Sequence, residues 1–185
     1  EGRGFRFRFK DMANSAATVL SPGTHRDMVR LGGILYGLTG DTVAPVSDRD
    51  LFKPVLSLST AIAHIKEVNA GETLGYGRTF TALQTSLIAT LPVGYGDGYP
   101  RALSNCGSVL IAGDQFPIVG RISMDWTIVD ITKAPHLKVG DRVTLIGESK
   151  GRTINAEDIA RLSGKLSYEV ITGLTKRVPR EYRGD

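Results

Sequence analysis

The sequence predicts a mainly β protein with two short helices near its end. Three observations predict it. From residue 56 onward, apolar runs of strand length recur at short intervals, divided by turn signals at Ala70-Gly71, Gly113-Asp114 and Val139-Gly140-Asp141. That spacing fits a barrel or a sandwich. Helix-start signals then appear: Asn155 as an N-cap, with Glu157 and Asp158 in the first turn at the positive helix end. Between these and the first fifty residues, Gly40, Pro45, Pro54 and several charges mark 39–54 as a linker, with a domain boundary near residue 50.

Taken in order, residues 1–10 alternate Arg or Lys with Phe5, Phe7 and Phe9, a period of two that reads as a strand. A chain that opens on such a strand without Met is expected to begin mid-protein. DMANSAAT (11–18) offers a Ser hydroxyl and small side chains that suit an anion such as phosphate, although Asn-Ser is commonly just a turn or a helix cap. MVRLGGILYGL (28–38) is an apolar run carrying Arg30, which needs a partner if it points inward from a buried strand, or else is a surface arginine at a strand start. Gly32 and Gly33 allow close approach of a ligand to the backbone. Strands are expected at 56–68, 84–93, 107–112, 115–123, 126–132 and 142–147. Ile159 and Leu162 then share one helix face, and Gly164 stops that helix. Ser167 is expected to cap a second helix, SYEVITGL.

Composition bounds the function. The chain has 185 residues, 41% hydrophobic and 23% charged, which fits a globular protein. It has no apolar run long enough to span a bilayer and no apolar stretch near its start that would serve as a signal peptide. A single cysteine, Cys106, allows no intrachain disulfide and suits a reducing cytoplasm. One Cys and three scattered His (His25, His64, His136) give no zinc-ligand spacing, so no metal is expected. The net charge is +4. The basic, Phe-rich start fits either RNA binding or an exposed strand with solvated charges, and no stacking-sheet motif accompanies it. No nucleic-acid or membrane partner is expected.

The chemistry is expected around LGYGRTFTALQTSLIATLPVGYGDGYPR (74–101). Glycines flank Tyr76 and Tyr95 on both sides, so the backbone can turn sharply and a ligand can come close. Tyr76 then does chemistry while Tyr95 shapes the way in, or both are loop tyrosines capping a barrel.

Read together, ANSAAT (13–18), MVRLGGILYGL (28–38), LGYGRTF (74–80), LPVGYGDGYPR (91–101), GRISMDW (120–126) and SYEV…RVPR (167–180) resemble the bacterial alanine racemases. The resemblance implies the end of a pyridoxal 5′-phosphate-binding (β/α)8 barrel over 1–50. A C-terminal β-barrel-like domain would follow over 51–185. It implies interconversion of L- and D-alanine through a cofactor aldimine, with two acid/base groups on opposite faces of the substrate, in a cytoplasmic homodimer supplying D-alanine for peptidoglycan. Tyr76, in GYG where many members have SYG, matches the catalytic tyrosine that works on the partner's cofactor. A phenol ordinarily has a pKa near 10 and needs help to act as a base. Arg30 matches the arginine facing the pyridine nitrogen. Ser15, Gly32, Gly33 and Tyr168 match the positions that hold the cofactor phosphate, with Gly33 where an apolar side chain is common. Tyr168 also reads as a helix tyrosine packing on the core. Met124 matches the residue whose backbone N–H meets the substrate carboxylate, with Asp125 ordering its loop. Tyr95 matches a tyrosine of the access corridor.

Where the family usually has His, this chain has Asp11, which is expected to form an ion pair with Arg30. None of its lysines lies in the family's cofactor-lysine motif, so the chain alone is expected to be inactive. A serine or broad-specificity racemase, or a non-catalytic β-domain, are the competing readings.

Overall fold

The computed structural model describes residues 4, 6–40 and 52–184. The chain divides into two compact units, Glu1–Val55 and Leu56–Asp185.

In the first unit, β1 (Asp11–Ala13) and β2 (Met28–Val29) pair in parallel, and α1 (Ser15–Leu20) lies between them in the chain. Parallel strands need such a crossover. Asn14 starts the helix: its side-chain oxygen accepts the Ala17 N–H at 3.0 Å. Ser21 and Pro22 end it, and Pro22 opens a 3₁₀ turn, Pro22–Thr24.

Two strand expectations fail here. Residues 1–3 and 5 lie outside the described residues, but 6–10 form no strand, and Phe7 and Phe9 are exposed. A strand needs a ladder of partners, and within 6–10 no ladder forms among the described residues: Lys10 bonds to Asp27, its carbonyl accepting the Asp27 N–H at 3.1 Å and its N–H donating to the Asp27 carboxylate at 2.8 Å. The run 28–38 is a strand only at Met28–Val29. After the Gly32–Gly33 pair it becomes a 3₁₀ turn, Gly33–Tyr36, which ends on Gly37 at φ +76°. A Cβ on Gly37 would lie 2.3 Å from the Lys53 carbonyl oxygen, so only glycine fits. Most of the expected linker, 41–51, and the boundary near residue 50 lie outside the described residues.

The second unit is mainly β. Its strands are β3 (Leu58–Ala61), β4 (His64–Val68), β5 (Thr73–Leu74), β6 (Phe80–Thr81), β7 (Ser86–Leu91), β8 (Ser108–Ile111), β9 (Asp114–Pro117), β10 (Thr127–Asp130), β11 (Arg142–Ser149) and β12 (Arg152–Ile154). One antiparallel sheet has the order β10-β7-β4. A second runs β12-β11-β8-β9, with β3 also on β11. A bridge from Ile118 to Val129 joins the end of β9 to β10. The expected barrel does not close; these are open sheets.

The expected strand 56–68 is two strands in different sheets. The chain switches at Ile62–Ala63, where Ile62 N–H donates to Asp141 beside β11 and Ala63 N–H donates to Thr90 of β7. The central strands β7 and β11 are buried for most of their length, with Ile88, Ala89, Val143 and Leu145 fully enclosed. Val68, Leu74, Ala82, Ile88 and Val119 form an apolar cluster that Phe80 and Ile128 cover. This cluster anchors the short β5–β6 ladder, which carries Tyr76.

α2 (Ala156–Ser163) starts at Asn155 through a reciprocal cap. Asp158 N–H donates to Asn155 Oδ1 at 2.7 Å, and Asn155 N–H to Asp158 Oδ2 at 3.0 Å. Gly164 ends it at φ +68°. α3 (Ser167–Gly173) starts one residue earlier than expected: Leu166 is the cap, its N–H held by the Glu169 carboxylate at 2.8 Å, and Ser167 is a buried first helical residue.

Candidate active site

In the first unit, hydrogen bonds gather the residues expected to hold a cofactor. Gly32 N–H donates to the buried Ser15 Oγ at 2.8 Å, which sets the serine beside the Gly32–Gly33 turn. Arg30 N–H donates to the Ala13 carbonyl at 2.8 Å, aligning it with β1. Arg30 Nε lies 2.7 Å from Asp11 Oδ1, so the expected ion pair is present. Its side chains are 60% and 36% exposed, so the pair contributes at most about 1 kcal/mol to stability. Its effect is to fix where the guanidinium points.

In the second unit, three loops meet. The first is the Tyr76–Arg78 turn after β5. Gly75 and Gly77 both have φ +73°, and a Cβ on Gly75 would lie 2.9 Å from Arg121 N. The turn thus lies against Arg121, and the Tyr76 phenol is 72% exposed.

The second loop, Tyr95–Asp97, lies flat on the third, Ser123–Trp126. Tyr95 N–H donates to the Ser123 carbonyl at 3.0 Å and Gly96 N–H to the Met124 carbonyl at 2.8 Å. A Cβ on Gly94 would lie 2.3 Å from the Ser123 oxygen, so the glycines make this stacking possible. The third loop closes on itself through Ser123 N–H to the Trp126 carbonyl and Trp126 N–H to Ser123 Oγ. The Met124 carbonyl is thereby taken, while its N–H has no acceptor among the described residues.

Tyr76, Tyr95, Arg101, Arg121, Ile122 and Ser123 line a cleft of about 480 Å³. Two phenols and two guanidiniums thus face one space, a lining suited to a small anion such as a carboxylate. Sequence reasoning assigned no role to Arg121 or Arg101, although both lie inside quoted motifs, GRISMDW and YPR.

It also gave no role to Arg177. This residue joins two of the loops: its Nε lies 3.2 Å from Asp97 Oδ1, and its Nη2 donates to Asp125 Oδ1. These carboxylates hold its pKa above the usual value, through the Asp125 hydrogen bond first and the Asp97 charge second. Thr175 reinforces the join, donating from Oγ1 to the Gly96 carbonyl at 2.9 Å. Arg180 fastens the segment by donating to the Leu174 and Thr175 carbonyls. Tyr168 lies in the first turn of α3 and is half-buried.

Residues 55–182 match the model of the family described as alanine racemase, C-terminal domain. The chain belongs to the alanine racemase family. An alanine racemase of Halothermothrix orenii is 47% identical over 174 residues, which cover 94% of this chain and 45% of that protein. The alanine racemase from Bacillus anthracis with bound L-Ala-P is similar in structure, with a TM-score of 0.86 at 36% identity over 96% of this chain and 45% of that one. So is the alanine racemase from Bartonella henselae with covalently bound pyridoxal phosphate, with a TM-score of 0.85 at 33% identity over 97% and 48%. This alanine racemase family chain spans about half the length of the relatives it matches.

Proposed function

We propose that this chain is the carboxy-terminal part of a pyridoxal 5′-phosphate-dependent alanine racemase. It would act in the cytoplasm as a homodimer and supply D-alanine for peptidoglycan. The observation that carries this reading is the convergence of Tyr76, Tyr95 and two arginines on one cleft, beside the unengaged Met124 N–H.

The first unit fits the cofactor. The Ser15 hydroxyl, already accepting from Gly32 N–H, can donate to a phosphate oxygen next to the Gly32–Gly33 backbone. Arg30 would face the pyridine nitrogen. A guanidinium only donates hydrogen bonds, so it leaves that nitrogen unprotonated, and Asp11 holds it in place. When bound, the cofactor supplies an electron sink for negative charge at the substrate Cα.

The other tasks fall to this chain's own residues. Tyr76 moves a proton at its phenol oxygen on one face of the substrate, in the partner subunit's site. Its glycine neighbours let it stand clear of its own backbone. The Met124 N–H receives the substrate carboxylate, and the Arg177 bridge holds the loop that presents it. Tyr95 narrows the approach, which favours a small amino acid. No residue of this chain is assigned as the base on the opposite face.

The test is a racemisation assay on the complete polypeptide with cofactor. Interconversion of L- and D-alanine is expected, with turnover reduced about 10²- to 10⁴-fold in Tyr76→Phe. The chain alone is expected to show no turnover. A complete polypeptide that binds the cofactor but does not racemise alanine would overturn the reading in favour of a non-catalytic β-domain. Equal turnover of serine would widen the substrate class.

A further inference from the structure

Asn105 makes one connection that joins the loops of the cleft. It follows the Tyr95 loop by way of the Arg101–Leu103 turn, and its backbone sits at φ +60°, a left-handed conformation that Asn adopts more readily than most residues. Its carboxamide nitrogen donates to Thr79 Oγ1 at 3.1 Å, and its carboxamide oxygen accepts the Gly120 N–H at 2.5 Å. Thr79 closes the Tyr76–Arg78 turn. Gly120 precedes Arg121 and leads to Met124. The preceding residue adds a parallel tie, Ile122 N–H to Ser104 Oγ at 3.0 Å.

The joined surfaces already touch. A Cβ on Gly120 would lie 3.1 Å from the Leu74 carbonyl, and one on Gly75 would lie 2.9 Å from Arg121 N. The Asn105 carboxamide fastens that contact from outside. Its side chain is exposed, so it fills no core position. One side chain thereby ties the end of the Tyr76 turn to the segment that leads into the Ser123–Trp126 loop.

We propose that Asn105 is a positioning residue: through Thr79 and Gly120 it sets where the Tyr76 phenol stands relative to the Met124 N–H. The proposal rests on the racemase reading above. A proton-transfer group and a carboxylate anchor must keep a fixed separation for one substrate to meet both, and a displacement of about 1 Å can lower the rate about a hundredfold.

The experiment uses the complete, cofactor-loaded enzyme and three variants. Asn105→Gly removes the carboxamide without straining a left-handed backbone. Thr79→Val removes only the arm to the Tyr76 turn and leaves the Gly120 N–H satisfied. Their double variant tests whether they act as one tether. Each single variant is expected to lower kcat about 10- to 100-fold, with KM for alanine nearly unchanged and, for Thr79→Val, the unfolding midpoint of the parent. The double variant should be no slower than Asn105→Gly. In a Tyr76→Phe background, Thr79→Val should have no further effect.

Parental kcat in Thr79→Val would overturn the proposal, even if Asn105→Gly proved too unstable to assay. So would an undiminished effect of Thr79→Val in the Tyr76→Phe background, because the tether would then act through something other than the phenol. A parent enzyme without racemase activity would sink the underlying reading, and this proposal with it.

Discussion

Tyr99 stands four residues after Tyr95, yet its surroundings are the reverse. Tyr95 is 47% exposed at the mouth of the cleft, whereas Tyr99 is 1% exposed and its hydroxyl has no hydrogen-bond partner among the described residues. Burial pushes its phenol pKa well above the usual tyrosine range, and the nearby Cys106 thiol adds to the rise. The sign follows. Below pH about 10 both folded and unfolded chains keep this proton, so the group gives no pH dependence. Above that, the unfolded chain loses the proton and the folded chain retains it. Stability therefore falls as pH rises, by up to about 1.4 kcal/mol per pH unit from this group. Tyr99→Phe should be neutral or slightly stabilising at neutral pH, because no bonded partner is lost. It should also flatten the alkaline decline. Urea midpoints for both proteins between neutral pH and pH about 11 test this, and parallel curves would refute it. The sequence flanks Tyr76 and Tyr95 with glycine on both sides and Tyr99 on one; packing by distant residues separates the two exposed phenols from the buried one.

At the scale of elements, the helices were legible because their signals are local. Asn155, Asp158 and Gly164 define α2 within a dozen residues of chain, and each does what its chemistry suggests. Asn155→Ala removes the acceptor for Asp158 N–H and should cost about 1 kcal/mol, read as a lower denaturant midpoint at unchanged slope. Strand existence was also legible over 84–93, 107–112, 126–132 and 142–147. Strand ends and partners were not. The break at Ile62–Ala63 comes from a switch between sheets, made by hydrogen bonds to Asp141 and Thr90, far along the chain. β12 was missed because Arg152–Ile154 is too short to show a period and exists only as the return of β11. The site divides in the same way. Its tyrosines announce themselves by flanking glycines, and Arg30 by its place in an apolar run. Arg177 and Asn105 act by tying loops to partners 15 to 80 residues away, from Gly120 to Asp97, and no local pattern marks that.

At the scale of the whole chain, the two units differ in how complete their cores are. In Leu56–Asp185 the central side chains Ile88, Leu91, Val109, Val129, Val143 and Leu145 are fully enclosed, drawn from both main sheets. All lining residues of the Tyr76 cleft also belong to this unit. In Glu1–Val55, by contrast, Leu20, Met28, Leu31, Leu35 and Tyr36 are exposed. An apolar cavity of about 550 Å³ there is lined by residues that include Val19, Leu31, Ile34 and Phe52. A unit this small that leaves so much apolar surface in water cannot offset the entropy of ordering its chain. We infer that residues 56–185 form an autonomous domain and that 1–55 depend on packing partners outside the described residues. Expressed alone, 56–185 should unfold in one cooperative urea transition and give a dispersed amide NMR spectrum. Residues 1–55 alone should give neither. Removing 1–55 should leave the midpoint of the 56–185 transition nearly unchanged, since Ile88, Leu91, Val109, Val129, Val143 and Leu145 are all enclosed within 56–185. A non-cooperative transition for 56–185 would refute the inference.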